Sequence, residues 1–448
     1  MKKSLTLALL LLFIAIGTLY SGPSDPFSPD ECAQRRARLM KSVGEGLIIL
    51  FGATAAPPGS RFRQDNDFYY LTGIDDRGAA LVLVAGKSEA RLFLPEQSPR
   101  EIMVDGANLL RNAGAAARLK LKSIEGLALL DEFLARQLLF AGSVIFARLA
   151  PGDTLDSDRY EERLLIARRC RSHFNDYPAP DLARAAKLRA FFPDAQLRDI
   201  SPLLSEMRAI KSAAEIELLR RNGRLSGEAV AQAMRQTRPG AYEYTLEGAA
   251  SGWVLGHGAR GLAFQPIAAA GLNACTWHYE HNDKLLEAGE LVLLDFGADL
   301  GYLCMDITRT WPVSGKFSPE QRELYRSVLE VQKATIAACR PGLGAAEIRQ
   351  IVAAALAQNK IDARGLRGDI HHFVGMSTHD GMLLDDKLRE GMVLTVEPGL
   401  YLEEKGIGIR IEDTIVITAD GCDVLTAAAP KEIAAIEALL KSRKPGAK

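Results

Sequence analysis

The chain is short of several things, and each shortage removes a class of protein. Cysteine is sparse: six residues (Cys32, Cys170, Cys275, Cys304, Cys339, Cys422) with no CxxC spacing. That excludes a zinc ribbon and a dense disulfide framework, and six mostly buried, apolar-like thiols are expected instead. Neither sign of charge is in excess, with 55 Lys and Arg against 56 Asp and Glu. No global field therefore steers the chain to nucleic acid or to an anionic membrane. The apolar run Leu5–Tyr20 has sixteen residues, short for a membrane span. Preceded by Lys2 and Lys3 and followed by Ser21-Gly22-Pro23, it has the layout of an export signal. Residues 1–22 are accordingly expected to be a cleaved signal or else a membrane anchor, and the protein to be periplasmic or secreted. Histidine is scarce too: seven in 448 residues, with His173 alone before residue 250.

What is present is ample core. At 448 residues and 48% hydrophobic, the chain can build more than one domain. Ser28–Lys41 reads as a helix with acids early and bases late. Gly46–Gly52, Phe68–Thr72, Ala79–Ala85 and Ala90–Leu94 are strand-like, while Leu127–Leu139 and Pro180–Phe191 are helix-like. Alternation of the two indicates an α/β domain over residues 29–205. Ser212-Ala-Ala-Glu215 is a capping box opening an amphipathic helix to about Gln236. A second domain, 206–440, carries a faint internal echo: a helix, Arg238-Pro239-Gly240 and a second helix, then a helix, Arg340-Pro341-Gly342 and another. Strands at Phe264–Ala268, Leu291–Pro312, Met392–Val396 and Arg410–Thr418 suggest an α+β arrangement with a largely antiparallel sheet.

The chemistry concentrates in that second domain. In Leu291–Pro312 two apolar runs flank Asp299-Leu300-Gly301, and each run carries one acid, Asp295 and Asp306. A turn centred on Leu300-Gly301 would set these two acids opposite each other, a destabilising pair unless a cation joins them. Two exposed acids on an edge ribbon are the alternative. Glu397 stands before Pro398-Gly399 at a strand end, and Glu412 lies inside the apolar run GIGIRIEDTIVI. His257, His278 and His281 precede this set or interrupt it, as do His371, His372 and His379. Four acids in core-strand contexts with imidazoles nearby favour Mn²⁺, Co²⁺ or Zn²⁺, and shared carboxylates suggest two ions. His257 and His281 read as loop histidines, and Trp253, Trp277 and Trp311 as core, with Trp277 a candidate pocket wall.

At these residues the sequence resembles a known family. NACTWHY (Asn273–Tyr279), LDFG with MDITRTWPVSGKFS (Leu294–Gly297, Met305–Ser318), HFVGMSTHD (His372–Asp380), GMVLTVEPGLY (Gly391–Tyr401) and GIGIRIEDTIVIT (Gly406–Thr418) are similar to the motifs of aminopeptidase P and prolidase. The likeness continues into RQDNDFYYLTG (Arg63–Gly73). It implies an α/β N-terminal domain followed by an α+β pita-bread catalytic domain with a curved, mostly antiparallel sheet. It implies two divalent metal ions, Mn²⁺ first and Co²⁺ or Zn²⁺ after it, held by Asp295, Asp306, His372, Glu397 and Glu412. Asp306 and Glu412 would bridge both ions, Asp295 would serve one, and His372 with Glu397 the other. His278 and His379 would contact substrate near the scissile bond, and Arg410 would support the bridging glutamate. Glu397 would also carry the proton to the leaving nitrogen, and His379 would stabilise the developing charge.

The implied reaction is release of the N-terminal residue from peptides with proline second, by attack of activated water, in a homodimer or homotetramer. Prolidase, confined to dipeptides, is the alternative enzyme. A metal-free creatinase-like enzyme and a peptide-binding module of the same fold are disfavoured by the intact ligand set. There are departures: Gly368 stands where the family commonly has His, with His371 a candidate substitute. Ser377 stands where Asp is frequent, and the segment from Glu397 to Glu412 is short.

Overall fold

A computed structural model describes residues 25–56, 60–139, 143–169, 180–358, 371–381 and 387–442. The expected export segment, Cys170, His173 and Gly368 lie outside the described residues. Among those described, no helix is long and apolar enough to cross a membrane.

The N-terminal half is built on a six-stranded mixed sheet in the order Ser123–Gly126, Glu89–Leu94, Ala80–Val84, Leu47–Phe51, Val144–Ala147 and Gln196–Asp199. The central pair, Leu47–Phe51 and Ala80–Val84, is almost wholly buried. That is why both read as unbroken apolar runs rather than alternating ones. One expectation fails here. Phe68–Thr72 lies in a helix, Asn66–Thr72, not a strand. The Asp65 side chain accepts from the Phe68 N–H at 2.9 Å, and Gly73 closes the helix at φ 64°. The helix is buried nearly all round, with Phe68, Tyr70 and Leu71 at 0–1% exposure. A short helix without a polar face has no period that distinguishes it from a strand.

In the C-terminal half the named strand pairs are antiparallel. The capping box at Ser212 and Glu215 opens the helix Ala213–Gln236 as expected. The internal echo has a structural counterpart. Gly240 donates to the Leu286 carbonyl at 2.9 Å and Leu286 donates back to Ala241 at 2.8 Å. Gly342 donates to Leu388 at 2.8 Å and Leu388 donates back to Leu343 at 2.8 Å. Both glycines take positive φ, 83° and 84°, where a side chain would be strained. Each helix–RPG–helix unit, with its second helix at Glu243–Gly256 or Ala345–Gln358, is thus stitched in the same way to the segment that leads into a strand, Leu291–Phe296 or Val393–Val396.

Leu291–Pro312 forms a ribbon, but in a different register. Asp295 pairs with Thr308 and Phe296 with Ile307, while Leu300 pairs with Leu303 around a two-residue turn at Gly301-Tyr302. Both turn residues have positive φ, 59° and 71°, the signature of a type I′ hairpin. Asp306 therefore falls opposite Gly297, where a Cβ would run into the Met305 carbonyl oxygen. Asp295 and Asp306 are diagonal neighbours on one face of the ribbon rather than a directly opposed pair. Two further strand boundaries shift. Phe264–Ala268 becomes Ile267–Ala270, and Arg410–Thr418 divides into Ile407–Arg410 and Asp413–Ile417 with Glu412 at the break.

The halves share one core. Tyr302, Leu303, Cys304 and Met305 pack in the same apolar cluster as Phe27, Phe68 and Leu81. A buried ionic network runs beside it. Arg208 donates to Asp67 at 2.9 Å, to Asp153 at 2.6 Å and also to Asp380, while Arg148 and Arg159 pair with Asp67 from the other side. Removing one partner from such a set leaves buried charges uncompensated. Arg208→Ala is therefore expected to destabilise the protein by about 3–5 kcal/mol, read as a lowered urea midpoint; a midpoint within error of wild type would contradict the network's role.

Candidate metal centre

The acids reach the site because strands end or break there. Asp295 is the penultimate residue of Leu291–Phe296, and Asp306 sits just before Ile307–Pro312. Glu397 follows Val393–Val396 directly, and Glu412 occupies the gap between two strands. The Glu412 N–H donates to the Thr308 carbonyl at 3.1 Å, which draws that gap onto the ribbon. His372 is tied to the strand carrying Glu397: Thr395 N–H donates to its carbonyl at 2.9 Å, and its own N–H donates to Thr395 Oγ1 at 3.0 Å.

These elements bring all five residues together. Potential donor atoms of Asp306, His372 and Glu412 lie within 4.8 Å of one another. His372 Nε2 is 3.4 Å from Asp306 Oδ2 and 3.4 Å from Glu397 Oε1. Its Nδ1 faces the Phe373 carbonyl at 3.3 Å, which leaves Nε2 for the centre. Arg410 donates through Nη2 to Asp295 Oδ2 at 2.6 Å, through Nε to Thr308 Oγ1 at 3.0 Å and through Nη1 to the Tyr401 hydroxyl at 3.0 Å. The Thr308 hydroxyl in turn donates to Glu412 Oε2 at 2.6 Å. Arg410 thus steadies Asp295 directly and Glu412 through Thr308.

The electrostatics show what the cluster lacks. Burial, then the neighbouring Glu412, Asp295 and Glu397 charges, pushes the Asp306 carboxyl well above its ordinary range. Glu412 is driven up by burial and then by Glu397 and Asp295. Burial also raises Glu397, to about 7, against the pull of Arg410. His372 is held far below the usual imidazole value by burial and by the nearby His379, so it stays neutral and able to ligate. Asp295 Oδ1 and Asp306 Oδ1 are buried and accept no hydrogen bond from the described residues. Buried carboxyl oxygens without donors, in a set of four acids and one neutral imidazole, fit divalent cations that would take the place of protons.

The substrate-side residues are more spread out. His379 packs edge-on against His372, with ring centroids 4.2 Å apart. Its Nδ1 lies 2.7 Å from Glu161 Oε2. Burial opposes its protonation, but Glu161 and Asp156 outweigh burial and raise its pKa. His278 is exposed on the rim, near enough for its charge to be felt by Asp156 and Glu161. Trp277, 39% exposed, stands 6.0 Å from the Tyr401 ring, whereas Trp311 is core and Trp253 half-buried. His257 and His281 are exposed, as expected. His371 lies near enough to disfavour protonation of His372. The Ser377 hydroxyl lies 2.9 Å from Asp153 Oδ2, so a carboxylate from the N-terminal half stands beside it.

Thr308, Thr395, Tyr401 and Glu161 escaped the sequence reading. Thr308 had a local signal, a hydroxyl residue two positions after Asp306 in an apolar strand; Glu161 had none.

Protonation at this centre gives the metal-free protein a definite pH dependence. The folded state holds protons on Asp306, Glu412 and Glu397 that the unfolded chain loses near pH 4. Stability of the chelated protein should therefore be greatest in mild acid and fall as pH rises towards and through about 7, the Glu397 value. Metal replaces those protons, so the Tm gap between loaded and chelated protein should widen from pH 5.5 to pH 8 in thermal scans. Asp306→Asn should lose metal affinity beyond the roughly 10–100-fold cost of losing an outer-shell partner. Elemental analysis after dialysis checks this.

Comparison with known proteins places these features. The sequence model of metallopeptidase family M24 matches residues 217–419, and that of the aminopeptidase P N-terminal domain matches 32–145. An Xaa-Pro aminopeptidase of Haemophilus influenzae is 34% identical, the alignment covering 92% of this chain and 97% of that protein. A putative aminopeptidase P from Bacillus anthracis superimposes with a TM-score of 0.82 at 29% identity, covering 93% of this chain and 99% of the other. Zinc-substituted Escherichia coli aminopeptidase P in complex with product gives a TM-score of 0.77 at 30% identity, covering 94% and 99%. The chain belongs to the aminopeptidase P family of M24 metallopeptidases, with the pita-bread fold.

Proposed function

We propose that this protein is an Xaa-Pro aminopeptidase, a metal-dependent hydrolase that removes the N-terminal residue from peptides with proline second. One observation carries the reading: four carboxylates and a neutral imidazole converge beside His379, with two buried oxygens lacking donors. The chain's similarity to a relative named for that activity supports it. Asp295, Asp306, His372, Glu397 and Glu412 would hold two divalent ions, Mn²⁺ being favoured by the oxygen-rich donor set. When bound, such ions supply Lewis-acid chemistry at the carbonyl and make water nucleophilic near neutral pH.

The remaining work falls to side chains. Glu397 takes the proton from the attacking water and hands it to the leaving nitrogen. His379 donates to the carbonyl oxygen as negative charge develops there. Arg410 keeps Asp295 in place at the end where the peptide's free amine enters. His278 is exposed near Asp156 and Glu161, and Trp277 is exposed 6.0 Å from the Tyr401 ring. Proline suits the second position because its amide nitrogen has no hydrogen to satisfy.

Export is part of the proposal and is supported by Lys2, Lys3 and Leu5–Tyr20. So is a homo-oligomeric state. The purified protein should cleave both Xaa-Pro-Xaa tripeptides and Xaa-Pro dipeptides when Mn²⁺ is supplied, with turnover abolished by chelator and the products identified by mass spectrometry. Cleavage of neither would refute the peptidase reading, and cleavage of the dipeptide alone would make the protein a prolidase.

A further inference from the structure

The imidazole of His379 is held by a residue from neither the metal set nor the C-terminal half. Glu161 lies in the first turn of the helix Arg159–Arg169, and its Oε2 is 2.7 Å from His379 Nδ1. That separation is typical of a charge-assisted hydrogen bond.

Both partners are anchored by backbone. On one side the Asp158 carboxylate accepts from the N–H groups of Tyr160 at 2.8 Å and Glu161 at 2.9 Å, which fixes the start of the helix. On the other, Thr378 donates to the Leu155 carbonyl at 2.9 Å and His379 donates to Asp156 at 3.1 Å. Ser377 adds a hydroxyl bond to the Thr154 carbonyl at 2.6 Å. Residues 153–158 thus form a strap from the N-terminal half laid along the segment that carries His379. The Glu161–His379 contact is the end of a fixed seam rather than a chance meeting of two long side chains.

An imidazole offers the site only the nitrogen its other partner leaves. With Nδ1–H given to the Glu161 carboxylate, donation to a substrate carbonyl falls to Nε2–H of the doubly protonated ring, beside His372. We propose that Glu161 is a positioning residue for the reaction: it holds His379 by Nδ1, turns Nε2 to the substrate carbonyl, and so makes catalysis depend on the N-terminal half. This rests on the aminopeptidase reading, in which His379 meets substrate. A merely structural ion pair at this exposure, with Glu161 39% accessible, would add little to stability and nothing to turnover.

The test uses the full metal-loaded chain with Glu161→Ala and Glu161→Gln, each alone and combined with His379→Ala. Glu161→Ala should lower kcat by roughly 10–100-fold with KM within about threefold. Glu161→Gln, which retains an acceptor, should recover part of that loss. In the His379→Ala background, Glu161→Ala should have no further effect. An unchanged kcat, or an equal loss with and without His379, would overturn the proposal. A second readout needs no turnover: nitrogen-15 NMR of the zinc-loaded protein should show His379 protonated at Nδ1 in wild type and redistributed in Glu161→Ala. A wild-type His379 without a proton on Nδ1 would also overturn it. Absence of Xaa-Pro cleavage by wild type would refute the aminopeptidase reading instead, and the NMR result would still decide the pairing.

Discussion

Mutual repulsion among buried carboxylates is the constraint to which the rest of this structure answers. Asp295, Asp306, Glu397 and Glu412 converge in a largely buried space, where neighbouring charges raise the cost of ionising Asp306, Glu397 and Glu412. Left alone, such a set would take up protons or spread apart. It is held by a frame of neutral and cationic donors: Arg410, with Thr308 and Tyr401, fixes one end, and Thr395 bonds to Glu397 at 3.0 Å. The frame fixes geometry without supplying enough positive charge, and the shortfall is the place for divalent cations.

The backbone explains why that geometry is possible. Each acid stands at an end, a break or a diagonal position of an antiparallel pair, where side chains from different strands can point at one volume. Glu412 illustrates the point. In a continuous strand from Arg410 to Thr418 its neighbours would be ladder partners. The break at Ile411-Glu412 instead lets its N–H reach across to Thr308. The duplicated helix–RPG–helix units hold the segments leading into Leu291–Phe296 and Val393–Val396 through equivalent glycine turns, so that the strands bearing Asp295 and preceding Glu397 are braced alike.

Much of this was legible in the sequence because acids in apolar strands are expensive and therefore conspicuous. The four acids, the two helix–RPG–helix units and the capping box at Ser212 could be read from residue type and spacing, while His372 was singled out by the family resemblance. The misreadings were cases where tertiary contact overrode local pattern. Phe68–Thr72 looked like a strand because burial of the helix Asn66–Thr72 on nearly all sides erased helical periodicity. The ribbon register slipped by one position in each strand because Gly301 is the first turn residue, and Tyr302, an unlikely candidate for positive φ, is the second. Glu161 was invisible because its partner lies 218 residues away and nothing near it in sequence marks it.

Tyr302 has a bearing on how the molecule comes together. A non-glycine residue with φ of 71° costs roughly 1 kcal/mol, and the surroundings must hold it there. Its ring stacks on Tyr69 at 3.5 Å, lies under the guanidinium groups of Arg63 and Arg260 at 4.5 and 4.2 Å, and its hydroxyl accepts from the Gln64 N–H at 3.1 Å. Three of those four partners belong to the N-terminal half, which leaves the ribosome first. The ribbon bearing Asp295 and Asp306 therefore emerges to meet a socket already synthesised. During vectorial synthesis the early part of the chain can act as an internal template for the hairpin on which the metal ligands sit.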